Sequence, residues 1–230
     1  MMKYFIGIVV IAGAVAGYVY FGPKGQDSSV ATPTPSPEGT AAAEKRAPFT
    51  DGTYRLDPAK SSMEWAGTKT LIKDYTDRGT IALSDGTVIV LEGNVTQGSV
   101  TVDMTTIHTL STGRGSGESM MEKHIKSADF FDVEKFPSSA FTLKSFTNNA
   151  DGTVTVDGNL TVKGITKPVS FPATVAQEGD TLTLAAREIR LDRTEWDIRY
   201  GSGKFFQNLG DNVINDIFTV SFTAVGIRVR

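Results

Sequence analysis

Apolar and polar residues alternate along much of the chain from about Phe49 onward. The clearest stretch places Val154, Val156, Leu160 and Val162 among threonine, aspartate and asparagine residues. A period of two is typical of β-strands that turn one face to a core and the other to water. The same alternation recurs in three further stretches, at residues 100–104, 182–184 and 218–224.

Turn sequences containing glycine separate these stretches at residues 84–86, 149–152 and 178–180. No long helical pattern lies between them, so a parallel sheet with crossover helices is not expected. The spacing predicts roughly eight to ten antiparallel strands, a number that fits a sandwich or a barrel.

One short helix is predicted over residues 116–126, where Met120, Met121 and Ile125 would form a partial apolar face. Residues 200–212 are predicted to be irregular, because neither period extends through them. The sequence therefore predicts an all-β domain with one short helix.

The N-terminal segment carries Lys3 and then an uncharged run from Tyr4 to Phe21. Such a run is just long enough, at about 27 Å of helix, to cross a bilayer. A signal peptide cleaved after Ala14 and Ala16 is the alternative, but the apolar run continues beyond that site and favours an anchor. Both interpretations predict export to the envelope or periplasmic side.

Residues 23–48 are rich in proline, serine, threonine and alanine, a composition that cannot form a packed core and predicts a linker. The expected organisation is therefore a signal anchor or signal peptide over 1–22, a linker over 23–48 and a β domain over 49–230.

Charge and cysteine content narrow the classes of function. The formal net charge is −3 without any basic stripe, which argues against nucleic-acid binding. The chain has 0 cysteines, so disulfides and thiolate chemistry are excluded.

Several motifs resemble those of the YceI-like family. His124–Pro137 (His-Ile-Lys-Ser-Ala-Asp-Phe-Phe-Asp-Val-Glu-Lys-Phe-Pro) resembles its first signature, and Leu160–Val169 (Leu-Thr-Val-Lys-Gly-Ile-Thr-Lys-Pro-Val) its second. The resemblance extends from about Gly52 to the C-terminus. Shorter matches lie at Asp57-Pro58, Ser61-Ser62, Tyr200–Phe206 and Leu209–Asp211, whereas Lys60 stands where many members have histidine.

The resemblance implies an antiparallel, lipocalin-like β-barrel of about eight strands with a helix at one end. It implies an exported protein that binds a polyisoprenoid or similar amphiphilic lipid inside the barrel, with no cofactor and no catalysed reaction. A homodimer is left open. A barrel without a ligand, acting as a structural or interaction module, is the alternative function.

Large apolar side chains are the candidate ligand contacts. The same residues could instead form plain core or pin a loop, and the sequence does not separate these alternatives. The candidates are Met63, Trp65, Phe130, Phe131, Phe136, Phe141, Trp196, Tyr200, Phe205 and Phe206.

His124 is a weak candidate for a lipid head group, although a histidine near a helix C-terminus more often serves the helix itself. With Asp129 or Asp132 it could also belong to an uncharacterised hydrolase. No metal site is expected, because His108 is the only other histidine. Arg187, Arg190 and Arg193 are predicted to lie on a solvated face, since alternation does not place all three on one side.

Overall fold

The computed structural model describes residues 48–229. The predicted anchor and almost all of the predicted linker lie outside these residues. Within them, no helix combines the length and apolar character that crossing a bilayer requires.

The described part of the chain contains nine strands, one α-helix and two short 3-10 helices, Arg193–Trp196 and Gly210–Asn212. All neighbouring strands are antiparallel, which confirms the predicted class. The elements are β1 (Gly52–Leu56), β2 (Ser62–Thr68), β3 (Thr76–Leu91), β4 (Asn94–Ser111), α1 (Glu118–Lys126), β5 (Ser138–Asn148), β6 (Val154–Val162), β7 (Ile165–Glu178), β8 (Thr181–Asp192) and β9 (Ile217–Arg228).

The sheet closes into a barrel with eight positions around the ring, because β1 and β2 share one of them. Both strands pair with β3 on one side and β9 on the other. The turn between them completes the ladder: Asp57 N–H donates to the Val225 carbonyl at 2.7 Å, and Val225 N–H donates to Ser61 Oγ at 3.0 Å. Pairing of β3 with β4 closes the ring.

The predicted turn at residues 84–86 is wrong, because β3 runs through it without a break. A register shift between Leu83 and Asp85 accommodates the extra residue as a bulge. Ser84 Oγ donates to the carbonyl of Thr101 on β4, so its polar side chain is used across the ladder. The actual hairpin turn lies at Glu92 and Gly93, whose φ values of 51° and 72° fit a tight two-residue turn.

The turns predicted at residues 149–152 and 178–180 are confirmed as the β5–β6 and β7–β8 connections. Helix α1 is confirmed as well, although it begins at Glu118 rather than at residue 116. Ile125 is buried and Met121 partly so, whereas Met120 is 79% exposed and does not belong to the apolar face.

The connections β2–β3, β4–β5, β6–β7 and β8–β9 all lie at one end of the barrel, as the antiparallel order requires. Helix α1 belongs to the β4–β5 connection, and the irregular segment 200–212 to the β8–β9 connection. We call this the helix end. The opposite end carries three short hairpin turns.

Candidate functional site

Two apolar cavities lie inside the barrel. The first has a volume of about 170 Å³, and its wall combines strand residues with α1 and with the segment after it. Met121, Ile125, Phe130 and Phe131 contribute from that side. The first cavity therefore lies toward the helix end.

The second cavity has a volume of about 150 Å³ and an apolar wall apart from Gly98 and Ser99. Its aromatic part consists of Phe141, Phe146, Phe171 and Phe222, and the ring of Phe171 contacts those of Phe141 and Phe222. The two cavities are adjacent, because five residues belong to both walls: Met63, Val102, Leu160, Leu191 and Val220.

Five of the predicted site residues line these cavities. Trp65, Phe130 and Phe131 line the first, Phe141 lines the second and Met63 lines both. Since successive strand residues alternate between the two faces, the shared orientation of Met63 and Trp65 follows from their spacing.

The other five predicted residues do not line either cavity. Trp196 is buried in a cluster beside the first cavity, where its indole Nε1 donates to the Leu160 carbonyl at 3.2 Å. Phe136 is half-buried with Lys135 Nζ 5.1 Å from its ring centre. Tyr200, Phe205 and Phe206 are exposed.

His124 lies at the helix end within an aromatic group. Its ring meets those of Phe130 and Tyr200 edge to face, with centroids 5.0 and 4.6 Å apart. Its Nε2 lies 3.2 Å from Asp129 Oδ2. Among the described residues no hydroxyl is hydrogen-bonded to this ring.

Helix α1 is joined to β4 by the carboxylate of Glu122. This carboxylate contacts His108 Nδ1 and Lys126 Nζ, both at 2.9 Å, and accepts a hydrogen bond from Thr109 N–H at 3.2 Å. The hydrogen bonds from Lys126 and His108 lower the pKa of Glu122 from 4.5 to about 2. The carboxylate therefore helps to hold Met121 and Ile125 against the first cavity.

The prediction of a solvated face is wrong for Arg193, which is 4% exposed, although Arg187 and Arg190 are exposed. All five N–H groups of its guanidinium have acceptors. Nε donates to Asn215 O, one Nη to Ile198 O and Tyr200 O, and the other Nη to Ile214 O and Asp216 Oδ1. Arg193 thus holds the two ends of the β8–β9 connection together by hydrogen bonds.

The sequence does contain an indication that Arg193 is buried. It shares strand parity with Leu191, which is buried, so continuing the alternation of β8 by two residues places it on the inner side. Burial lowers the pKa of its guanidinium, and the neighbouring Asp216 carboxylate opposes that effect.

Two side chains of the first cavity carry buried polar atoms without a partner. These are Trp65 Nε1 and Ser139 Oγ. Thr109 Oγ1 is also unpartnered, but Thr109 lines neither cavity. Buried polar groups are nearly always hydrogen-bonded, so each of these atoms requires an explanation.

Charge is scarce in the cavity walls. Among residues 48–229, Asp77 and Arg193 are the charged side chains that line the first cavity, and none lines the second. Burial raises the pKa of the Asp77 carboxyl, although Gly113 N–H donates to it at 3.0 Å. No set of three or more histidine, aspartate or glutamate side chains within residues 48–229 is grouped as a metal site.

The architecture and the apolar interior define a closed antiparallel barrel of the lipocalin-like class. The sequence profile of the YceI-like domain matches residues 54–225, and the chain belongs to this family.

Relatives match over part of their length. The UPF0312 protein of Pseudomonas putida is 47% identical over 64 residues, which cover 28% of this chain and 33% of that protein. Protein YceI of Salmonella arizonae is 38% identical over 102 residues, 44% of this chain and 50% of the relative. The matched region thus spans half or less of these relatives.

Two solved structures share the fold. BcnA of Burkholderia cenocepacia aligns with a TM-score of 0.58 and 21% identity, covering 74% of this chain and 98% of BcnA. A polyisoprenoid binding domain of Saccharophagus degradans, implicated in plant cell wall breakdown, aligns with a TM-score of 0.54 and 11% identity, covering 78% and 100% of the two chains.

Proposed function

We propose that this protein is exported and holds a polyisoprenoid or similar amphiphilic lipid inside its barrel, beside the membrane to which its N-terminus anchors it. The observation that carries the proposal is the pair of adjacent apolar cavities inside a closed barrel. Burying a lipid tail there gains about 0.8 kcal/mol per methylene. The similarity in fold to a polyisoprenoid binding domain supports this choice of ligand class.

Ligand contact is assigned to the cavity-lining residues Met63, Trp65, Phe130, Phe131 and Phe141. No catalytic role is assigned to any of them, because their side chains offer apolar surface and neither a base nor a nucleophile.

Mass spectrometry of the bound lipid tests the proposal. The full chain is purified, exchanged from detergent into amphipol and extracted with organic solvent. Lipid that merely surrounds an anchor must be told apart from lipid in the cavity. Val102→Phe adds volume at the wall between the two cavities, whereas Thr101→Phe adds the same ring at the next, outward-facing position.

We expect about one isoprenoid lipid per chain in the wild type and in Thr101→Phe, and much less in Val102→Phe. Equal amounts in all three proteins would assign the lipid to the membrane segment. No lipid in any of them, before or after incubation with isoprenoids, would favour a structural or interaction module.

A further inference from the structure

Two side chains in the wall of the first cavity each carry a hydrogen-bond donor without a partner. Ser139 is 6% exposed and its Oγ has no partner, and Trp65 Nε1 has none either. Trp196, the other tryptophan, donates its indole N–H to a carbonyl. Leaving such groups unpaired is unfavourable, and a hydrogen bond to a ligand oxygen would remove that penalty.

The second cavity offers no comparable atoms. Its wall is apolar apart from Gly98 and Ser99, and none of its residues carries an unpartnered buried polar side-chain atom. This asymmetry suits an amphiphile whose polar atom lies in the first cavity and whose tail extends past the shared wall into the second.

The charges of the first cavity do not suit an anionic head group. The guanidinium of Arg193 has no N–H left to offer, because all five donate to protein acceptors. The other charged side chain in the wall is Asp77, whose carboxylate would repel a phosphate. Lys204 lies 2.7 Å from Asp192 and 3.5 Å from Asp216, so it is already paired with two carboxylates.

We infer that Ser139 and Trp65 bind a neutral oxygen of the ligand, the hydroxyl or carbonyl of an uncharged isoprenoid, and that the barrel selects such lipids over prenyl diphosphates. This inference rests on the proposed function. It goes further because it names the head-group chemistry and the two side chains that recognise it.

Four C15 probes share one tail and differ in the head: farnesol, farnesal, farnesene and farnesyl diphosphate. The full chain in amphipol is delipidated and titrated with each. Farnesol or farnesal should bind about 3- to 10-fold more tightly than farnesene, because each can form one or two neutral hydrogen bonds that farnesene cannot. The diphosphate should bind more weakly than either. Preference for farnesol or for farnesal tells a hydroxyl-bearing ligand from a carbonyl-bearing one.

The indole N–H resonances provide a direct readout. On binding of farnesol, the Trp65 resonance should move to lower field as its Nε1 gains an acceptor. The Trp196 resonance serves as internal reference, because its N–H is already bonded to Leu160 O.

Variants separate recognition of the head from packing of the tail. Ser139→Ala and Trp65→Phe should lower the affinity for farnesol more than the affinity for farnesene, and so reduce the preference between the two. Thr109→Val is the matched control, since it removes an unpartnered buried hydroxyl that lines neither cavity. It should leave both affinities unchanged.

Tighter binding of the diphosphate than of farnesol would overturn the inference and leave the proposed function standing. So would an equal loss of farnesol and farnesene binding in Ser139→Ala. Failure of all four probes, farnesene included, would overturn the proposed function together with the inference.

Discussion

The carboxylate of Glu122 and the imidazole of His108 meet at 2.9 Å and join helix α1 to strand β4. Lys126 binds the other oxygen of the same carboxylate. This small cluster is the polar attachment of a helix whose other face meets the cavity through Met121 and Ile125.

Glu122→Gln should destabilise the protein in a pH-dependent way. The folded-state pKa, about 2, lies below the ordinary 4.5, so the ionised carboxylate stabilises the fold above the ordinary pKa. That contribution is lost as pH falls toward the folded-state value. We expect a loss of about 1–2 kcal/mol at neutral pH, measured by urea unfolding.

Glu118→Gln on the same helix is the control, because Glu118 forms no ion pair with any of residues 48–229. It should change stability far less. If Glu122→Gln cost as much at acid pH as at neutral pH, its effect would not come from the ionised carboxylate.

Gly79→Ala should be strongly destabilising, because the indole of Trp65 packs against this glycine. An added Cβ would lie 2.5 Å from Trp65 Cζ2 and would also clash with the backbone carbonyl of His108. We expect a loss of about 3 kcal/mol or more in the free energy of unfolding.

Gly67→Ala on the neighbouring strand is the matched control, since no atom of the described residues, its chain neighbours aside, lies within 4 Å of the added Cβ. Its cost should stay below about 1 kcal/mol. Equal losses in the two variants would mean that strand propensity, rather than the contact with Trp65, determines the effect.

Arg193→Met should unfold the β8–β9 connection or the whole barrel. It leaves four backbone carbonyls and the Asp216 carboxylate without their donor, at a cost of about 3–5 kcal/mol. Arg193→Lys should recover only part of the loss, because an ammonium offers three donors in place of five. Arg190→Met, at an exposed position on β8, should be nearly neutral in the same denaturation assay.

Ser139→Ala should make the ligand-free protein more stable by about 1 kcal/mol, because it removes a buried hydroxyl that has no partner. Thermal unfolding after delipidation measures this gain. An unchanged or lower stability would imply that the hydroxyl is already satisfied, for instance by an ordered water.

Met63→Ala should shift the preference of the barrel toward longer tails. Met63 lies in the wall shared by the two cavities, and truncating its side chain frees volume at that wall. The affinity ratio of a C20 to a C15 prenyl alcohol should therefore rise severalfold. Met104→Ala, which enlarges only the first cavity, should leave that ratio close to the wild-type value.

Strand alternation predicted most of the fold because a half-buried strand must repeat every two residues. It could not distinguish a bulge from a turn at Ser84–Gly86, since both need a local break in the pattern. The difference depends on pairing with Thr101, a residue distant in sequence. Closure into a barrel likewise depends on long-range pairing of β1 and β2 with β9. Strand alternation left a sandwich and a barrel open, and only the family resemblance predicted the barrel.

The candidate site could be predicted best where its residues belong to strands. The shared orientation of Met63 and Trp65 follows from strand alternation. Alternation gives no information about the β8–β9 connection, where the exposed residues Tyr200, Phe205 and Phe206 lie. The shared parity of Arg193 and Leu191 indicated an inner position, but recognising it required the carbonyls of a loop whose path the sequence does not reveal.

The position of β9 in the ring also determines when, during synthesis, the barrel can close around its interior. β9 follows all other strands in the described chain, and it alone bridges β8 to both β1 and β2, with Tyr54 opposite Arg228. Until it is synthesised, two strand edges remain unpaired and prone to association with other chains. Pairing over so long a sequence separation is also slow. A nascent chain therefore has no enclosed chamber, and the lipid proposed above could be held only by a molecule whose synthesis has passed β9.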